Sequence, residues 1–160
     1  MKGIVIGASL SGKTTLVKYL RSNTNISVSE MDEELTKLNS GKYPTDVKHK
    51  HKILAPKIVK DLLNKKDIMF LTNTDYFSLD DLRKAKNKGF KIIQLKLDLN
   101  ELKKRNKNRM ISEGYDNLSE WLGGMVAYQE KIRNAGLVNI IVDANQSVEN
   151  ISEKIQKHFH

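Results

Sequence analysis

The sequence predicts an α/β fold, a parallel five-stranded sheet with helices on both faces. Three observations carry that prediction. Five short apolar runs, most of them rich in β-branched residues, alternate with stretches of helical spacing. The first run, Lys2-Gly3-Ile4-Val5-Ile6, passes directly into a glycine-bounded loop and then a helical pattern. The 160 residues suffice for one domain with a sizeable core, and neither a repeat nor a linker divides them.

That loop, Gly7-Ala8-Ser9-Leu10-Ser11-Gly12-Lys13-Thr14, matches G-x-x-x-x-G-K-[ST], the phosphate-binding P-loop. Gly7 and Gly12 are expected to supply backbone angles that a side chain disfavours. The loop N–H groups then turn inward, and the following helix presents its positive end to the same phosphate. Lys13 reaches the outer phosphates, and the Thr14 hydroxyl is placed to ligate Mg²⁺. The helix continues through Thr15-Leu16-Val17-Lys18-Tyr19-Leu20, with Leu16, Val17 and Leu20 on one face. The candidate nucleotide-binding residues here are Gly7, Ala8, Ser9, Leu10, Ser11, Gly12, Lys13, Thr14 and Thr15.

The later elements follow in order. Ile26-Ser27-Val28-Ser29 reads as a short second strand. Pro44 to Lys66 has helical spacing through Val47, Ile53, Leu54, Ile58, Leu62 and Leu63, with a kink or break expected at Pro56. Asp67 to Thr72 is a buried strand, and Ser78-Leu79-Asp80-Asp81 starts a helix like a capping box. Phe90 to Leu95 is the fourth strand. A polar, basic helix spans Asn100 to Met110, and Ile111 to Asn117, with Gly114, reads as a mobile lid. Asn117 to Asn134 places Leu118, Trp121, Leu122, Met125, Tyr128 and Ile132 on one side, which reads Trp121 and Tyr128 as core. Val138 to Val142 is the last strand, and Ser147 caps a helix to about Lys157. Right-handed crossovers bring the C-terminal strand ends to one edge, where ligands bind.

Three groups of residues should meet at that edge. Glu30 and Asp32 follow the second strand and, in extended chain, face the same side. They are candidates to hold Mg²⁺ or to accept a proton from an attacking hydroxyl. Asp75 stands two residues beyond the third strand, whose end carries Asn73 instead of an acid, so its role is a water-mediated metal contact or a turn. Arg105 and Arg109 are spaced i, i+4 and share a helix face suited to clamping a transferring phosphate. His49 and His51 lie among Lys48, Lys50 and Lys52, whose charges repel a cation, so this stretch reads as a surface patch.

Composition narrows the classes. The chain has no cysteine, which suits a reducing compartment, and no apolar run approaches the roughly 20 residues of a membrane span. The first twenty residues do not read as a signal peptide, because the glycine loop and Lys13 interrupt the apolar stretch. A cytoplasmic protein is expected, with no membrane partner. The net charge of +9 raises nucleic acid as a partner. The lysines, however, are spread over most helices, which favours a general surface charge.

With these residues in place, the chain resembles the small P-loop kinases of the shikimate kinase, gluconate kinase and adenylate kinase group. The resemblance rests on Gly7–Thr14, Glu30-x-Asp32, the stretch from Leu97 through Arg105 to Arg109, and Asp143-Ala144-Asn145-Gln146-Ser147. It implies a three-layer P-loop NTPase fold with strand order 2-3-1-4-5, MgATP as donor and a closing lid. It also implies that Glu30 is the metal-side acid and that Asp32 contacts the acceptor hydroxyl. Arg105 would lie against adenine or phosphates, Arg109 would belong to the lid, and Asn145 and Gln146 to the adenine-side loop. The whole chain, 1–160, would form one kinase domain, with a substrate-side helical region at about 31–66 and a lid at about 105–118. A site built within one chain makes a monomer sufficient.

The departures are specific. The first acid is Glu30 where the family often has Asp. Thr72-Asn73-Thr74 stands where shikimate kinases have a Gly-Gly pair, and their lid Arg-Pro pair is absent. Gly41-Lys42-Tyr43-Pro44 matches no known acceptor site. The expected function is phosphate transfer from ATP to a small-molecule or nucleotide acceptor. Two alternatives stand beside it: a kinase of nucleic-acid 5′-hydroxyl ends, and a nucleotide-binding switch or slow ATPase acting through a protein partner.

Overall fold

A computed structural model describes residues 1–159. Five strands, β1 (Lys2–Gly7), β2 (Val28–Glu30), β3 (Ile68–Asn73), β4 (Lys91–Lys96) and β5 (Ile140–Asp143), form one parallel sheet in the order β2-β3-β1-β4-β5. This is the order the resemblance implied. Central β1 carries Ile4, Val5 and Ile6, all fully buried. Alternation sends Ile4 and Ile6 into one core cluster with Phe70 and Ile92, and Val5 into the other with Leu71 and Ile93. Helices cover both faces, as a sheet with two apolar faces demands.

The helices are α1 (Lys13–Asn23), α2 (Met31–Leu38), α3 (Val47–His49), α4 (Ala55–Leu62), α5 (Leu79–Asn87), α6 (Leu99–Glu113), α7 (Ser119–Asn134) and α8 (Val148–Lys157). Helix α1 buries Leu16, Val17 and Leu20. Ser78 and Asp81 form the reciprocal capping box, and Ser147 caps α8 through the Asn150 N–H.

Pro56 does not break the helical run. Between α3 and α4 the chain makes a π-helical turn, Lys50–Leu54, in which the Ala55 N–H bonds to the Lys50 carbonyl. Pro56 has no N–H to donate, and its ring crowds the carbonyl four residues earlier. A widened turn just before it relieves both conflicts without a kink.

Three sequence expectations need correction. Trp121 is 59% exposed and outside the core. In its place α7 buries Gln129, whose amide donates to Thr74 Oγ1, and Tyr128 is half-buried with its hydroxyl on the Phe77 carbonyl. The buried stripe of α7 runs through Leu122, Gln129 and Ile132, and Trp121 stands about 100° round the helix from Leu122; the buried Gln129 amide is satisfied by Thr74. The helix expected over Asn100 to Met110 runs on through Ile111–Glu113 to Gly114, which ends it at φ 67°. Gly7 has no positive φ; within the loop that role falls to Leu10 (φ 72°) and Gly12 (φ 92°).

Asn106 joins α6 to the start of α7. It is buried in α6, donates to Asn117 Oδ1 at 2.8 Å and accepts the Leu118 N–H at 2.9 Å.

Candidate functional site

The phosphate loop leaves β1 at Gly7, between Asn73 of β3 and Leu95 of β4. Its shape is set by internal bonds. Ser11 Oγ donates to the Ala8 carbonyl at 2.7 Å. Lys13 Nζ folds back over the loop onto the Gly7 and Ala8 carbonyls at 2.8 and 2.7 Å. Gly7 is required for space: a Cβ there would lie 2.4 Å from Ser11 Oγ. Gly12 is required for angle, and it delivers the chain into α1.

The loop opens into a cleft of about 790 Å³. Thr14 and Thr15 line its floor with Lys18, one turn beyond Thr14 on α1. One wall carries Glu30, Met31, Asp32 and Asn73. The opposite wall comes from α6 and its end, with Arg105, Asn108, Arg109, Ser112 and Tyr115. Thus the structure gathers most of the residues singled out in the sequence around one opening.

The acids reach the cleft by a different route from the one expected. The chain turns helical at Met31, so Glu30 ends β2 while Asp32 lies in the first turn of α2. The extended two-residue alternation does not apply, yet both side chains border the cleft because the strand-to-helix turn faces it. Asp75 sits in a 3₁₀ turn (Thr74–Tyr76) after β3 and does not line the cleft, although its charge acts on Lys13. The β3 end presents Asn73, whose amide contacts Ser9 Oγ at 3.5 Å.

Electrostatics divide the site in two. Burial lowers the Lys13 pKa to about 8, against the pull of Asp32, Glu30 and Asp75. Burial raises the carboxyls of both Glu30 and Asp32; Lys13 and Lys50 oppose the rise at Asp32.

The two arginines are held differently. Arg105 donates to the Leu10 carbonyl at 3.0 Å and to the Ala144 carbonyl at 3.5 Å, and pairs with Glu101. It therefore ties α6 to both the phosphate loop and the turn after β5. Arg109 lies 4.1 Å from the Tyr115 ring centroid and 3.8 Å from Glu113. Asn145 and Gln146 stay outside the cleft lining: the Asn145 N–H and the Gln146 amide bond back to Asp143. Lys18 and Tyr115 line the cleft without having been singled out as site residues. For Lys18 the i+4 spacing from Thr14 was a usable signal; Tyr115 carried none.

A phosphate group fits this arrangement. Lys13 spends its donors on main-chain carbonyls that an anion would replace with a stronger, charge-assisted partner, and α1 points its N-terminus into the loop. For a divalent cation, no group of three or more His, Cys, Asp or Glu converges among the described residues. Thr14 with Glu30 or Asp32 suits Mg²⁺, which keeps several waters and takes its remaining ligands from substrate phosphates. Among the described residues no helix is long and apolar enough to cross a membrane.

No protein-family model and no curated protein sequence matches the chain. Solved structures do. A shikimate kinase from Aquifex aeolicus superposes with TM-score 0.74 at 21% identity, over 99% of this chain and 96% of that one. Shikimate kinase from Acinetobacter baumannii, in complex with shikimate, gives 0.74 at 15% identity over 99% and 93%. A gluconokinase from Sinorhizobium meliloti gives 0.61 at 17% identity over 99% and 97%. The fold is therefore that of the small P-loop kinases, across the whole described chain.

Proposed function

We propose that this protein is a MgATP-dependent phosphotransferase whose acceptor is a small molecule or nucleotide bearing a hydroxyl or phosphate. One observation carries the reading: a phosphate loop, two carboxylates and two arginines from four separate elements border a single cleft. The kinase fold of its structural neighbours supports it.

Bound MgATP would supply the transferable phosphoryl group and the divalent charge that shields it. The loop N–H groups and Lys13 would hold the phosphates, with Thr14 and Glu30 as the residues to hold magnesium. Arg105 is braced against the Leu10 carbonyl and keeps its charge beside the loop. Arg109 brings a second positive charge from the end of α6. Such fixed charges stabilise charge that develops during transfer, because the site spends no energy reorienting them. Asp32 orients the acceptor hydroxyl and takes its proton; burial raises its carboxyl above the usual carboxylate range and so makes it a stronger base. In this reading residues 31–66 form the acceptor side and 105–118 the lid.

The test is ADP release from MgATP with pools of hydroxyl metabolites, nucleosides, nucleoside monophosphates and 5′-hydroxyl oligonucleotides. A pool that raises release above the water background, with label moving to the acceptor, supports the reading and names the class. Lys13→Ala is expected to abolish turnover with the fold intact. Asp32→Asn is expected to lower turnover about 10²–10⁴-fold, the usual contribution of a general base, with ATP affinity retained. Full activity in either folded variant overturns its assigned role. One observation favours a second reading, the nucleotide-dependent switch: β3 ends in Asn73 where a metal-holding acid is usual. Nucleotide binding with no stimulating acceptor would favour it.

A further inference from the structure

The acceptor side of the fold carries a cluster that none of these roles uses. Tyr43 lies in the turn after α2, Lys50 and His51 are consecutive in the π-helical turn, and Tyr76 ends the 3₁₀ turn after β3. The Tyr43 and Tyr76 hydroxyls stand 3.4 Å apart. Lys50 Nζ donates to Tyr43 Oη at 3.3 Å. The same ammonium lies 5.2 Å from the Tyr43 ring centroid and 5.9 Å from that of Tyr76. The His51 imidazole stacks on Tyr76 with centroids 4.8 Å apart and planes within 11°. In an α-helix adjacent side chains diverge by about 100°. Here Lys50 and His51, the first two residues of the π turn, both reach the Tyr76 ring.

Lys50 makes no salt bridge within 4.0 Å among the described residues. Two aromatic faces and a hydroxyl hold its charge instead. Asp32 relates the cluster to the phosphate loop, since the charges of both Lys13 and Lys50 act on its carboxyl. An ammonium, two phenolic hydroxyls and an imidazole offer more donors than the two oxygens of a carboxylate take up. They suit the three terminal oxygens of a phosphate ester.

We infer that Tyr43, Lys50, His51 and Tyr76 form an acceptor subsite that recognises a phosphomonoester group. The inference rests on the phosphotransferase reading, because it places that group on the molecule whose hydroxyl meets Asp32. The acceptor is then a phosphorylated hydroxyl compound, anchored at Lys50 and presented to Asp32.

Histidine ring resonances read this subsite without catalysis. His51 stacks on Tyr76, while His49 is exposed on the same segment and serves as the control. Glycerol 3-phosphate, titrated at constant pH and ionic strength, is expected to move His51 saturably and leave His49 in place. Lys50→Gln, checked for fold by circular dichroism, is expected to weaken that binding about ten- to hundredfold, as loss of a charge-assisted contact does. Glycerate and glycerol, the carboxylate and neutral arms, are expected to bind more weakly. An unmoved His51, or equal affinity in Lys50→Gln, overturns the subsite, and glycerate binding as tightly as the ester overturns the phosphate assignment. The phosphotransferase reading fails separately. If His51 responds as described but no phosphorylated or unphosphorylated acceptor raises ADP release, the anion subsite stands and the reaction falls.

Discussion

Burial and charge oppose each other at Lys13. Burial wins, and its pKa falls to about 8. An anion in the loop favours the charged form and so raises that pKa. Below this value Lys13 already carries its proton, and nucleotide binding takes up little; as pH rises past about 8 the free protein loses the proton and binding must restore it. Calorimetry in buffers of different ionisation enthalpy is expected to show uptake climbing toward one proton as pH increases. A flat profile counts against Lys13 as the phosphate-facing cation. The two loop glycines fail in different ways. Gly12→Ala meets no atom but keeps a left-handed angle, costing about 1–2 kcal/mol in urea unfolding. Gly7→Ala pushes against Ser11 Oγ and is expected to lose nucleotide affinity by deforming the loop. Unchanged affinity in Gly7→Ala would mean that the loop tolerates a shifted Ser11.

Helix α6 and the start of α7 act together through Asn106. Its replacement by Leu leaves the Leu118 N–H without its acceptor, while Asn117 Oδ1 keeps the Ser119 N–H. Such a group costs about 1–3 kcal/mol when fully buried, and the half-buried Leu118 N–H falls at the low end, about 1 kcal/mol. The expected result is a lowered midpoint in thermal unfolding and faster hydrogen exchange confined to residues near 114–118. Exchange that rises uniformly over the chain would show that Asn106 supports the fold rather than the junction. The π turn is a similar device before α4. It immediately precedes Pro56 and carries Lys50 and His51, which both reach Tyr76.

The sheet places the phosphate loop at its centre. Strand β1 is flanked by β3 and β4, and both faces of the sheet are buried by helices. If residues 1–159 act as one domain, unfolding is a single transition, and a ligand of the folded state raises its free energy. MgATP at a hundred times its Kd is expected to add about 2.7 kcal/mol, with the transition still single. Two transitions, only one of them moved by nucleotide, would separate the 31–66 region from the sheet.

Much of this was legible before any coordinates. The phosphate loop was readable because its chemistry lies in consecutive residues, and the strand–helix alternation because period and glycine position are local signals. The capping residues Ser78 and Ser147 were equally local. Other features were not. Gly7 reads as an angle requirement, but Ser11 packing against it makes it a space requirement. Glu30 and Asp32 read as an extended pair, but β2 ends between them. Trp121 fits a broad apolar stripe, yet the face that packs is centred on Leu122, Gln129 and Ile132 and leaves the indole outside. The Tyr43–Lys50–Tyr76 cluster joins three elements, and spacing along the chain says nothing of it. Local sequence sets backbone conformation and the residues that cap it; which distant side chains meet depends on how the crossovers lay the helices on the sheet.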